Sequence, residues 1–145
     1  MGVAMTSREA ILAALRAADL AEAPRPDLSA LGCAPQDPAA AFAQQLKAAG
    51  GSCWHVATLQ DARTRLEADS GFQNAARRYC ILPDLPSGNV DCGPETEGAS
   101  LNGLDAAVLP GELAVAENGT VWLSHDSLAH RALPFICTSL YLVVP

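Results

Sequence analysis

The residues best placed to do chemistry lie in the run Ala116-Glu117-Asn118-Gly119-Thr120, between the apolar stretches Leu113-Ala-Val-Ala and Thr120-Val-Trp-Leu. An Asn-Gly pair between apolar runs predicts a β-hairpin with a type I′ turn, because that turn needs positive φ at both central positions. Such a turn sets the Glu117 carboxylate at a strand end, where it could meet a ligand. A polar residue flanking a turn is an equally sufficient account of it. Asn118 and Gly119 are demanded by the turn alone. Asp105 and Glu112 flank the neighbouring strands and could bring further carboxylates close, although a solvated sheet edge explains both.

Other reactive side chains are scattered. His125 and His130 are five residues apart, off register on a helix, which argues against a shared metal, and His55 lies far away in sequence. The five cysteines (Cys33, Cys53, Cys80, Cys92 and Cys137) contain no Cys-x-x-Cys pair. Neither an iron–sulfur cluster nor a structural zinc therefore has local support, and no metal site is expected. Cys92, in a Gly/Pro-containing loop, is the thiol expected to be most exposed, as a spectator, since no Cys-His pair would activate it. Arg77-Arg78 reads as a solvated helix end with a lesser claim on an anionic ligand. Trp54 and Trp122 read as core residues. No Gly-x-Gly-x-x-Gly or P-loop is present, so no cofactor is implied.

The elements that would carry these residues alternate between helix and strand. Thr6-x-x-Glu9 is a capping box, and Ile11, Leu12, Leu15 and Ala18 recur behind it at helical spacing, predicting one packed stripe. Pro24 and Pro26 end that helix, and Asp27–Pro38 reads as a linker. A second helix is expected over 39–49, with Phe42 and Leu46 inward and Gly50-Gly51 closing it. Next come a strand at Ser52–Val56, a helix at Gln60–Ala68, a helical turn at Phe72–Ala76 and a parallel strand at Tyr79–Leu82. Pro83–Leu101 is a long loop. Asp105–Leu109 and Glu112–Ala116 are strands, Ser124–Ala132 is a short helix or turn, and Ser139–Val144 is a final buried strand. That rhythm is α/β, a Rossmann-like open sheet flanked by helices. Residues 1–50 form an N-terminal helical segment and residues 51–145 the α/β part of one overall domain. A last strand this apolar either sits mid-sheet or lacks covering elements.

Composition limits the function. Within 145 residues, nine Lys+Arg against sixteen Asp+Glu give a net charge of -7. That balance opposes binding to nucleic acid or to an anionic membrane surface. The longest apolar run, Ala132–Pro145, is too short to span a bilayer and contains Pro134. Arg8 and Glu9 stand where a signal peptide needs an apolar stretch, so the cytoplasm is the expected location.

The segments Gly111–Leu123 and Arg131-Ala-Leu-Pro134-Phe-Ile also resemble the LUD domain of the lactate utilization protein C (LutC/YkgG) group. That family typically has an Ala-Glu-(Thr/Asn)-Gly hairpin, then an Arg and a Leu-Pro pair before a buried strand. The amino-terminal Ser-Arg-Glu-Ala-Ile-Leu helix, the Gly-Gly pair and the Asp105 strand fit the same order. The resemblance implies the NagB/RpiA/CoA-transferase-like fold. It also implies an accessory role in oxidation of L-lactate to pyruvate beside iron–sulfur partner proteins. Glu117, Asn118, Gly119, Thr120 and Arg131 are the ligand-contacting residues it suggests. Family members continue with a Gly-Pro-Ser-x-Thr-Ala-Asp-Ile-Glu loop, a strand and a helix that do not follow Pro145, so the domain is expected to be C-terminally incomplete. Ala116-Glu-Asn-Gly119 is also similar to the Ser-Glu-Asn-Gly motif of class I CoA transferases, where the glutamate becomes an acyl-glutamyl anhydride. That likeness implies Glu117 as a nucleophile, though Ala116 replaces the serine and no glycine-rich oxyanion loop precedes it. A small-molecule-binding α/β domain, with its site at the carboxyl ends of the strands, is the third reading.

Overall fold

The computed structural model describes residues 6–18, 23–27 and 35–145. The chain divides into two compact units, Met1–Cys33 and Ala34–Pro145. In the first, α1 (Ser7–Ala17) starts at the capping box expected of it: the Thr6 hydroxyl accepts the Glu9 amide, and the Glu9 carboxylate accepts the Thr6 amide at 2.8 Å. The expected packed stripe does not form. None of the residues of α1 is buried, and Ile11 and Leu15 are 61% and 66% exposed. Among the described residues the contacts of the helix are its cap and its own backbone. Residues 19–22, most of the expected linker (28–34) and Cys33 lie outside the described residues.

The second unit is mixed α/β. Its first helix, α2 (Pro38–Ala48), takes Asp37 as N-cap and proline at its first position, where a missing amide costs nothing. Gly50, at φ +89°, ends it, and the Gly51 amide donates back to the Leu46 carbonyl at 2.9 Å. Phe42 is buried and Leu46 half-buried, as the spacing predicts. Helix α3 (Leu59–Ala68) opens on a Thr58–Asp61 capping box. Asp69 then closes α3 and caps the short α4 (Ser70–Asn74), its carboxylate accepting the Phe72 amide at 3.0 Å.

Three strands form a parallel sheet in the order β1-β2-β5: β1 (Arg78–Cys80), β2 (Ala106–Pro110) and β5 (Ser139–Val143). Arg78 pairs with Ala106, and Ala106 with Ser139. The central strand is buried on both faces, with Ala106, Ala107, Val108 and Leu109 all without exposed surface. One face of the sheet packs Ala106 and Val108 with Leu66, Phe72, Ala75 and Leu85. The other packs Ala107 and Leu109 with Tyr79, Leu101, Leu104 and Leu133. Leu133 belongs to α5 (Leu133–Ile136), the one-turn helix before β5. β5 lies at the sheet edge and is only partly buried, which overturns the mid-sheet alternative and the expectation of a fully buried last strand.

Residues 52–56 also depart from expectation. They pair with no strand and, among the described residues, form no backbone hydrogen bond; Ser52 to His55 are exposed. Strand formation needs pairing to a neighbouring edge as well as strand-favouring residues, and this stretch is paired to none. The two-stranded hairpin of β3 (Leu113–Val115) and β4 (Thr120–Trp122) forms a separate small sheet. Among the described residues no helix is long and apolar enough to cross a membrane.

Candidate functional site

The hairpin tip holds four of the sequence-predicted site residues, and its geometry is turn chemistry. The loop is Ala116–Gly119, closing on the Val115–Thr120 pair, with Gly119 donating to the Val115 carbonyl at 2.9 Å. Only Gly119 has positive φ (+72°), so the expected two-residue type I′ turn is replaced by a four-residue loop. Asn118 retains negative φ because its side-chain oxygen accepts the Thr120 amide and hydroxyl, at 3.1 and 2.7 Å. Gly119 is tight against α2, where a Cβ would come within 2.7 Å of the Leu46 nitrogen. Glu117 is exposed, and among the described residues its carboxylate makes no hydrogen bond or ion pair. Arg131 is exposed, two residues before α5. No hydrogen bond or ion pair among the described residues joins it to the hairpin tip.

Several other side chains serve structure. Asp105 accepts the Arg77 amide at 2.8 Å and so joins the starts of β1 and β2. Arg77, expected at a solvated helix end, instead donates to the carbonyls of Asn102 and Ser100 and ties down the loop between those strands. The Arg78 guanidinium lies 5.2 Å from the centre of the Phe72 ring. The His130 Nδ1 accepts the Ala132 amide at 3.2 Å. His55, His125 and Glu112 are exposed. Among the described residues no three His, Cys, Asp or Glu side chains converge as a metal site would need. Cys92 is half-buried, with its thiol pKa raised by burial, so the exposed described thiol is Cys53 and not Cys92. Trp122 is 65% exposed, and Trp54 also reaches solvent, so neither is a core residue.

What sequence reasoning missed is a cleft of about 530 Å³ between β5 and the 51–56 segment, floored by α2 and α3. Its polar centre is Tyr141, whose hydroxyl donates to Asp69 Oδ1 at 2.5 Å. The Tyr141 ring meets Phe72 edge-on at 5.9 Å and lies 6.3 Å from Trp54. Burial first, and then the Asp69 carboxylate, push the Tyr141 pKa up to about 12. The hydrogen bond from Tyr141 holds the Asp69 carboxyl below its usual range, against a smaller opposing effect of burial. Tyr141 is therefore a neutral donor and Asp69 an ionised acceptor across the physiological range, each engaged with the other and neither activated as a nucleophile or base. The volume falls within the range of small-ligand sites. One signal was present in sequence: Ser139 and Tyr141 are the only hydroxyl residues of an otherwise apolar strand, two apart and so on one face.

Comparison of the chain with protein-family models, with curated proteins and with solved structures found no match.

Proposed function

We propose that the chain is a LUD-domain protein of the lactate utilization protein C group. It acts as a cytoplasmic accessory component in oxidation of L-lactate to pyruvate, beside iron–sulfur partner proteins. The observation that carries the reading is the pair of segments Ala116-Glu-Asn-Gly119 and Arg131-Ala-Leu-Pro134, in the family's order before the last strand. The parallel three-stranded sheet, with the hairpin inserted between β2 and β5, is compatible with a Rossmann-like, NagB/RpiA/CoA-transferase-like domain. An accessory role also suits a cleft whose ionisable pair is engaged within itself and not poised to react.

The test is anaerobic affinity purification of the tagged chain from its own host grown on L-lactate, with iron content and mass spectrometry read on the eluate. Iron–sulfur proteins co-purifying in stoichiometric amount are the expected result. A partner-free eluate without iron would overturn the reading. Glu117→Gln separates it from acyl transfer. The substitution leaves the iron–sulfur assembly intact if the role is accessory, whereas an acyl-enzyme adduct formed from acyl-CoA and lost in this variant would establish the transferase alternative.

A further inference from the structure

The two outer edges of the parallel sheet are treated differently. At β1 the following loop covers the edge: Asn89 Oδ1 accepts the Arg78 amide at 2.8 Å, and the Asn89 and Val90 amides donate to the Arg78 carbonyl at 2.8 and 3.0 Å. Gly88 permits this crossing, since a Cβ there would lie 2.5 Å from the Arg78 carbonyl oxygen. Among the described residues the outer edge of β5 has no such cover. Ser139 donates to the Asp105 carbonyl and Val143 accepts from Gly111, so the residues of odd number turn their backbone groups toward β2. By the two-residue alternation, the N–H and C=O of Leu140 and Leu142 point the other way, into the cleft. Among the described residues none of these four groups has a hydrogen-bond partner. Across the cleft stands Ser52–Val56, which has no backbone partner among the described residues and has the composition of a strand.

We infer that this cleft is a strand slot, which an extended, uncharged, apolar segment of a partner protein enters to pair with β5. The occupant's character follows from the walls. Two donors and two acceptors repeat at a two-residue spacing of about 6.6 Å, which a neighbouring strand matches along its whole length and a single small ring does not. Among the described residues Asp69 is the sole charged one lining the slot, and its carboxylate is already engaged by the Tyr141 hydroxyl and the Phe72 amide. A charged side chain inside would therefore find no counter-charge. β5 is five residues long, so at about 3.3 Å per residue its open edge matches an extended segment of similar length. β5 of a second copy does not fit, because one of its edges is committed to its own β2 while the slot is walled on both sides. This inference concerns backbone pairing and stands apart from the proposed role in lactate oxidation.

The probe is the acetylated and amidated hexapeptide Thr-Val-Thr-Val-Thr-Val, added to the full chain with amide exchange followed residue by residue. In the chain alone the Leu140 and Leu142 amides should exchange quickly while those of Tyr141 and Val143 should be protected. Saturating peptide should slow Leu140 and Leu142 at least tenfold and shift Trp54 fluorescence. Leu142→Pro removes one slot-facing N–H without removing a β2 ladder bond, as edge strands tolerate, and should weaken binding at least tenfold. If that variant loses its far-ultraviolet dichroism, Val56→Asp places an unpaired charge on the opposite wall and should do the same. Unchanged exchange at Leu140 and Leu142 with peptide overturns the inference. So does protection of both amides before any peptide is added, or a folded variant that binds as the parent does. Binding of the apolar dye anilinonaphthalene sulfonate in the cleft, with no effect of peptide, would make it a small-molecule pocket and also overturn the inference.

Discussion

Tyr141 and Asp69 form the contact on which the cleft turns, and its energetics have a definite sign in each pH direction. Tyr141 has a folded pKa of about 12 against about 10 in an unfolded chain. Its contribution is therefore complete below pH 10 and is lost as pH rises from there toward 12. Asp69 is depressed, so its contribution is present above about pH 4 and is lost as pH falls through the lower folded value. We expect Tyr141→Phe to flatten both limbs of a plot of melting temperature against pH. Absorbance at 295 nm should show the Tyr141 ionisation missing from the variant. A variant whose profile coincides with the parent's at both ends would show that the 2.5 Å contact contributes nothing. Asp69→Ala goes further, because the same oxygen also caps α4. Losing the cap and the tyrosine bond together should cost about 2 kcal/mol in urea unfolding.

At the level of elements, the hairpin is where a local signal and a tertiary demand meet. Gly119 is needed first for its φ of +72° and again because α2 leaves no room for a Cβ. Gly119→Ala should cost about 2–3 kcal/mol, from the left-handed backbone and the displaced helix together. A Gly119→Ala chain as stable as the parent would mean that α2 and the hairpin tip do not touch. Helix starts, helix ends and the hairpin were legible in sequence because each is decided within a few residues: Thr6 with Glu9, Gly50 at the end of α2, Asn118 with Gly119, although Pro38, read as the end of the linker, opens α2. The parallel strands were legible as short apolar runs. Ser52–Val56 was not, because its residues favour a strand while the partner edge that would make it one is remote in sequence. The candidate site was illegible for the same reason, since Asp69 and Tyr141 stand 72 positions apart and only the fold brings them together. The turn type was misjudged where Asn118 used its side chain on Thr120 and kept negative φ.

For the molecule as a whole, the distribution of buried residues fixes what unfolds with what. β2 belongs to both hydrophobic clusters, Val108 facing one and Leu109 the other, so neither face can separate from the sheet without exposing the central strand. Residues Ala34–Pro145 should accordingly melt in one transition. Leu109→Ala opens a void at a side chain with no exposed surface, and should lower the stability of that transition by about 3 kcal/mol without splitting it. The first unit is governed by other terms. α1 buries none of its eleven residues, and an isolated helix of that length is marginal in water even with a good cap. Its amides should exchange close to the unprotected rate in the native chain, while those of β2 exchange only with global unfolding. Protection of α1 equal to that of β2, or loss of α1 protection in step with Leu109→Ala, would mean that the helix draws its stability from contacts beyond its own cap and backbone.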